Sequence, residues 1–152
     1  MSAFQDLAAI PAQQLGPGYL ARAIHGSRVT FAVVEIEPHA ALPEHSHENE
    51  QLGIVLRGSV TFRVGKEEKT LEAGGTWSIP SDTPHFVTGG VDGAVVLDIF
   101  APTREEWKQL DAIAPVRPIW ICGSASSIDL PASVPATIER RQRRTFTVRG
   151  RP

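Results

Sequence analysis

Apolar and polar residues alternate along several short segments between residues 29 and 100, and this pattern predicts β-strands. The alternation is clearest in residues 59–64, where Val60, Phe62 and Val64 fall on one face and polar side chains on the other. Gly, Pro and Asp residues separate the segments, as is typical of turns. Short strands at steady spacing between such turns predict an all-β barrel or sandwich.

The predicted strands follow one another closely along the chain. We expect an edge strand at 20–24 and further strands at 29–37, 51–57, 59–64, 69–72, 76–80, 85–88 and 94–100. Turns are expected at Gly58, at 65–68, at 81–84 and at 89–93. Residues 1–18 contain Pro and Gly residues that break longer elements, so we interpret them as a lead-in segment on the outside of the domain.

One short helix is predicted, over residues 104–113. Thr103 takes the N-cap position and Glu106 follows three residues later, which together form a capping box. Trp107 and Leu110 belong to an apolar stripe at helical spacing. The helix would close the barrel domain at its C-terminal side.

Length and composition favour a single domain. With 152 residues, of which 41% are hydrophobic, the chain can bury one sizeable core, and we assign residues 1–122 to it. Residues 123–152 are rich in Ser, Ala, Pro and Arg, and an extended, poorly ordered tail is expected there.

Charge and cysteine content exclude several classes of function. The tail carries a net charge of +4 and the rest of the chain −6, so the domain has no basic face suited to nucleic acid. A solvated tail is favoured over one that binds RNA or an acidic partner. No signal peptide or membrane span is expected, and the single Cys122 allows no disulfide framework. A cytoplasmic protein is therefore the expectation.

Two histidines, His45 and His47, are one residue apart, a spacing that puts both rings on the same face of an extended chain. Counting on by twos reaches Gln51, whose amide oxygen could join that face. His85 follows Pro84 at the start of a predicted strand. Neutral imidazole is the commonest side-chain ligand of transition metals, so the pattern predicts a metal site. Zn, Ni, Fe, Mn and Co all suit such ligands.

Asp98 lies in the middle of an otherwise apolar strand and shares a face with Val96 and Phe100. A buried carboxylate is costly unless it has a partner or a task. We interpret Asp98 as a general acid or base that faces the barrel interior, the alternative being a carboxylate paired with a buried Arg or a backbone amide. Arg104, six residues later, could bind a substrate carboxylate from the cavity rim.

Two motifs resemble those of the cupin superfamily. The first, His-x-His, three residues, an acidic or amide residue, six residues and Gly, is met from His45 to Gly58, with Gln51 where most members have Glu. The second is met more loosely from Gly74 to Gly89, with Asp82 in a Gly position and Gly89 in an Asn position. The resemblance implies a single jelly-roll barrel, that is, a double-stranded β-helix.

The pattern from about Pro43 to Trp107 is further similar to the KdgF-type cupins, which linearise 4,5-unsaturated monouronates released from pectin and alginate. This resemblance implies that His45, His47, Gln51 and His85 bind a divalent metal. It also implies catalytic or binding roles for Asp98, Phe100 and Arg104. The resemblance does not cover the tail after Cys122.

The resemblance implies a metal-dependent enzyme, isomerase-like or lyase-like, whose substrate is a small anionic sugar. Asp98 would move a proton while the metal and Arg104 hold the substrate carboxylate. Two alternatives remain open: a cupin dioxygenase, cyclase or isomerase that acts on another small molecule, and a non-catalytic cupin that binds a metabolite. Cupins often pair through their outer strands, so a homodimer is also suggested.

Overall fold

The structure, a computed structural model, describes residues 3–113 of the chain. Nine β-strands run through this range, and two short 3-10 helices accompany them. The strands are β1 (Ala12–Gly16), β2 (Tyr19–His25), β3 (Thr30–Ile36), β4 (Ala41–His45), β5 (Glu50–Val64), β6 (Glu67–Glu72), β7 (Thr76–Ile79), β8 (His85–Ala101) and β9 (Ala112–Ile113); the 3-10 helices are Leu7–Ala9 and Glu105–Gln109. The predicted tail lies outside the described residues.

The two longest strands, β5 and β8, organise the sheet. They pair with each other along most of their length, and every pairing among the nine strands is antiparallel. The sheet order is β6-β5-β8-β3-β2-β1-β9, while β4 pairs with β8 and β7 with β5. The prediction of an all-β fold is therefore confirmed. The predicted edge strand at 20–24 lies instead inside the sheet, as β2 between β1 and β3.

The turns predicted at Gly58 and at 89–93 were wrong, because the chain bends there without leaving the sheet. The pairing register between β5 and β8 shifts on either side of Gly58, as at a β-bulge. Gly58 has φ +72° and Gly93 has φ +69°. A Cβ atom on Gly58 would lie 2.0 Å from the carbonyl oxygen of Gly93. Glycine thus allows both strands to bend while they stay paired with each other in the sheet.

The α-helix predicted over 104–113 was also wrong. A 3-10 helix covers only Glu105–Gln109, and Ala112–Ile113 form β9, which pairs with β1. The capping box does not form, because the Thr103 hydroxyl donates to the carbonyl of Gly26. Contacts with other parts of the barrel therefore override the local helix signal.

The hydrophobic core is formed by buried side chains of β2, β3, β5, β7 and β8 together with Trp107. Val60 and Phe62 are buried, in agreement with the predicted faces of residues 59–64. Other members of the core are Tyr19, Ala21, Ala32, Val34, Ile36, Val55, Trp77, Ile79, Val87, Ala94, Val96, Phe100 and Trp107. No helix among the described residues is long and apolar enough to cross a membrane.

Candidate metal centre

The three histidines predicted as ligands converge at one end of the core. His45 ends β4 and pairs with His85, which begins β8, and His47 follows in the loop that leads to β5. One nitrogen of each ring lies within 4.8 Å of a nitrogen of the other two. This cluster of three imidazoles could hold a metal ion.

Each of these imidazoles is restrained in the same way. The Nδ1 atoms of His45, His47 and His85 each lie 2.8 Å from a backbone carbonyl oxygen two residues away, on Pro43, Asn49 and Thr83 respectively. A carbonyl oxygen only accepts hydrogen bonds, so Nδ1 carries the hydrogen and donates it. The tautomer is therefore fixed, and the lone pair of each Nε2 atom is available to a metal.

Gln51 completes the group of four predicted ligands. Its Oε1 atom lies 3.3 Å from Nε2 of His47, at the start of β5. Because the Nδ1 hydrogen of His47 is used by a carbonyl, Nε2 offers a lone pair, and two electron-pair donors therefore face each other. A shared cation relieves this repulsion, so the residues present fit a metal ion.

The surroundings keep two of the imidazoles neutral. Burial lowers the pKa of His85 to about 4, and the nearby His45, His47 and Arg104 add to the shift. Burial also lowers the pKa of His47, and the Arg104 charge acts in the same direction. Only neutral imidazole binds a metal, so both rings are ready to act as ligands at neutral pH.

Asp98 lies in the same cavity, as predicted, but it has partners that the sequence did not suggest. Its Oδ1 atom accepts hydrogen bonds from Nε2 of Gln51, at 2.7 Å, and from Nε1 of Trp77, at 3.2 Å. Burial raises the pKa of Asp98 to about 6, although these two hydrogen bonds and the charge of Arg104 act against the rise. Within residues 3–113, both hydrogen bonds to the carboxylate end on Oδ1, which leaves Oδ2 without a protein donor.

Arg104 lies at the rim of the cavity, with only 12% of its side chain exposed. Its guanidinium carbon lies 4.9 Å from the ring centre of Phe100 and 4.8 Å from that of Trp107. The Nε atom donates to the carboxylate of Glu106. Two aromatic rings and one carboxylate thus hold the guanidinium in a fixed position.

The cavity that contains these side chains has a volume of about 400 Å³. All seven predicted site residues line it: His45, His47, Gln51, His85, Asp98, Phe100 and Arg104. His25 and His39, which match neither motif, do not, and His25 is hydrogen-bonded to Thr30 instead.

Sequence reasoning missed three residues that contact the site residues: Trp77, Glu106 and Trp107. Trp77 falls in the strand predicted over residues 76–80, and the other two fall in the helix predicted over 104–113, with no role in the site. Gly53 offered a signal for Trp77, because a glycine inside a strand often marks a close approach of another group. The contacts of Glu106 and Trp107 with Arg104 depend on how the chain folds after β8, and no local sequence signal predicts them.

Residues 32–100 match the family model of the cupin domain. The chain has a cupin fold. No curated protein is significantly similar to its sequence.

Solved cupin structures share this architecture. One is KdgF from Halomonas sp., which is 23% identical over 70% of this chain and 98% of its own, with a TM-score of 0.64. Another is an RmlC-like cupin from Shewanella frigidimarina, 20% identical over 70% of this chain and 96% of its own, also with a TM-score of 0.64. A variant of oxalate decarboxylase from Bacillus subtilis is 17% identical over 67% of this chain and 31% of its own, with a TM-score of 0.58.

These identities are low, so the structural likeness establishes the fold and not a reaction. Cupins with unrelated names superpose on this chain about equally well. Function has to be argued from the side chains in the cavity.

Proposed function

We propose that this cupin is a metal-dependent enzyme that opens and tautomerises a 4,5-unsaturated uronate or a similar small sugar acid. The observation that carries the proposal is the presence of three kinds of group in one cavity of about 400 Å³. These are the cluster of three histidines with Gln51, the carboxylate of Asp98 and the guanidinium of Arg104. A cavity of this size suits a monosaccharide.

Arg104 supports the choice of an anionic substrate. Its Nε atom donates to Glu106, and its terminal N–H groups form a planar fork that matches a carboxylate. Phe100 and Trp107 hold the guanidinium in place, so little side-chain freedom is lost when an anion binds. Phe100 would also pack against the face of the sugar.

Asp98 is the group proposed to move the proton. Its Oδ1 atom accepts hydrogen bonds from Gln51 and Trp77, and its Oδ2 atom would meet the substrate in the cavity. As the ring opens, the carboxylate takes the proton of the anomeric hydroxyl, the C1=O bond forms and the bond from C1 to the ring oxygen breaks. The same proton is then given to C4, and the enol becomes a ketone. The product has the formula of the substrate.

The four candidate ligands, His45, His47, Gln51 and His85, would hold a divalent metal without neutralising its charge. When bound, the ion would supply Lewis-acid stabilisation of negative charge on oxygen. The chain's own residues bind the carboxylate, orient the ring and move the proton.

The experiment compares the wild type with Asp98→Asn and Arg104→Lys on unsaturated galacturonate and mannuronate, after metal removal and reloading. The readout is the loss of the ultraviolet absorbance of the conjugated C=C bond. We expect Asp98→Asn to keep the metal and lose about 100-fold or more in rate, because the amide cannot take the proton. Arg104→Lys should mainly raise KM, because the fork is lost.

The matched control is Asp92→Asn, which makes the same change at an exposed position of the same strand and should leave the rate unchanged. Turnover by Asp98→Asn at the wild-type rate would remove Asp98 from the mechanism. Oxygen consumption that depends on Fe(II) would replace the proposal with a dioxygenase. A sugar acid that raises the melting temperature without being converted would instead indicate a binding protein.

A further inference from the structure

Three strands bring Trp77, Gly53 and Asp98 into one row across the barrel interior. Gly53 of β5 pairs with Trp77 of β7 on one side and with Asp98 of β8 on the other. A Cβ atom on Gly53 would lie 2.3 Å from two carbons of the indole ring. The absence of a side chain at this position therefore lets the indole lie over β5 and reach the carboxylate.

The carboxylate in turn dictates how the amide of Gln51 is oriented. A carboxylate accepts hydrogen bonds and cannot donate them, so the NH₂ group of Gln51 must face Asp98. The amide oxygen is then turned towards Nε2 of His47, which lies 3.3 Å away. The reversed amide would place its oxygen against the carboxylate and its NH₂ group where a cation is expected.

We propose that Asp98, held in place by Trp77, is a positioning residue that presents the oxygen of Gln51 to the metal. This inference rests on the proposed metal site and is independent of which sugar acid reacts there. It assigns separate tasks to the two carboxylate oxygens, positioning to Oδ1 and proton transfer to Oδ2. It also accounts for an amide at residue 51, because a glutamate there would put two carboxylates in contact.

Two substitutions of Asp98 test whether it orients the amide of Gln51 or only attracts the metal ion by its negative charge. In Asp98→Asn the charge is lost but the side-chain oxygen can still accept from Gln51, whereas Asp98→Leu, of similar size, removes the acceptor. We expect zinc affinity, measured by calorimetric titration, to stay within a few fold for Asp98→Asn. For Asp98→Leu we expect it to fall roughly tenfold or more.

The decisive step repeats both changes in a Gln51→Ala background. If Asp98 acts through the amide, Asp98→Leu weakens zinc binding in the wild-type background and has little further effect without Gln51. Trp77→Phe, which keeps the carboxylate and removes one donor, should give an intermediate loss that also disappears in Gln51→Ala. The absorption spectrum of bound cobalt should change in Asp98→Leu and resemble that of Gln51→Ala.

Equal losses from Asp98→Asn and Asp98→Leu, unchanged by Gln51→Ala, would show that Asp98 acts by its charge and would overturn the inference. Far-ultraviolet circular dichroism checks that each variant is folded, and Trp77→Phe keeps the test open if Asp98→Leu does not fold. A wild-type protein that binds no zinc or cobalt would overturn the metal site itself. A protein whose variants show the expected zinc affinities but which does not open uronates would overturn only the proposed reaction.

Discussion

Tyr19 shows how burial of a hydroxyl group changes its pKa. It is the only tyrosine in the chain, and only 2% of it is exposed. Its hydroxyl lies 3.1 Å from the carbonyl oxygen of Ala40 and 3.0 Å from that of Val87. Burial raises the pKa of Tyr19 from 10.0 to about 12, because a phenolate would lose its hydration.

We expect the alkaline stability of the protein to depend on this residue. A raised pKa in the folded state means that the stabilisation is complete below pH 10 and is lost as the pH rises towards about 12. The tyrosinate absorbance in the near ultraviolet reports Tyr19 alone, and it should appear only together with unfolding. Titration near pH 10 with the fold intact would contradict this. Tyr19→Phe should remove the part of the loss in the free energy of unfolding above pH 10 that Tyr19 contributes, measured by urea denaturation.

At the residue scale, much of the site could be predicted because its signals are local. The spacing of His45 and His47 and the isolated carboxylate of Asp98 can be read along a single strand. The hydrogen bond from Trp77 to Asp98 could not be, because it requires the register of three strands that are far apart in the sequence. The roles of the site residues as ligands and catalysts stay predictions.

At the element scale, β5 and β8 are single strands of 15 and 17 residues. Sequence patterns divided each of them in two, because Gly58 and Gly93 look like turn residues. Whether such a glycine ends a strand or bends it depends on the partner strand across from it. The helix predicted after Thr103 failed for a similar reason, since the cap residue is bound to Gly26, 77 residues away.

Gly58 should be intolerant of a side chain. In Gly58→Ala, the new Cβ atom would be strained by the left-handed backbone and would also clash with the carbonyl oxygen of Gly93, 2.0 Å away. We expect a loss of roughly 3 kcal/mol or more in the free energy of unfolding, measured by urea denaturation. Gly65→Ala is the matched control, because Gly65 has φ +58° but open space around it. It should cost about 1 kcal/mol, and equal losses in the two variants would show that the contact with Gly93 does not matter.

At the scale of the whole molecule, the candidate metal site joins parts of the chain that are distant in sequence. His45 and His47 precede β5, while His85 begins β8, and these segments meet only in the folded barrel. The order of strands that makes them meet could be expected from the resemblance to cupins but not from the pattern of polar and apolar residues. A metal bound there would link β4, β5 and β8 and would favour the folded state.

Added zinc should therefore raise the melting temperature. At a free concentration 100 times the Kd, the expected stabilisation is about 2.7 kcal/mol, which for a domain of this size corresponds to several degrees. His85→Ala should lose most of this rise, and a chelator should reverse it in the wild type. Differential scanning fluorimetry at several zinc concentrations measures the effect.

The control for this experiment is His39→Asn, which removes an exposed histidine that does not line the cavity. Asparagine is suitable because His39 has φ +59°, a backbone conformation that asparagine tolerates better than most residues. His39→Asn should keep the full zinc-dependent rise, because zinc bound by the cavity does not use this ring. A rise that is lost equally in His39→Asn and His85→Ala would show that zinc stabilises the protein through scattered surface histidines, and the candidate metal centre would then have no special affinity.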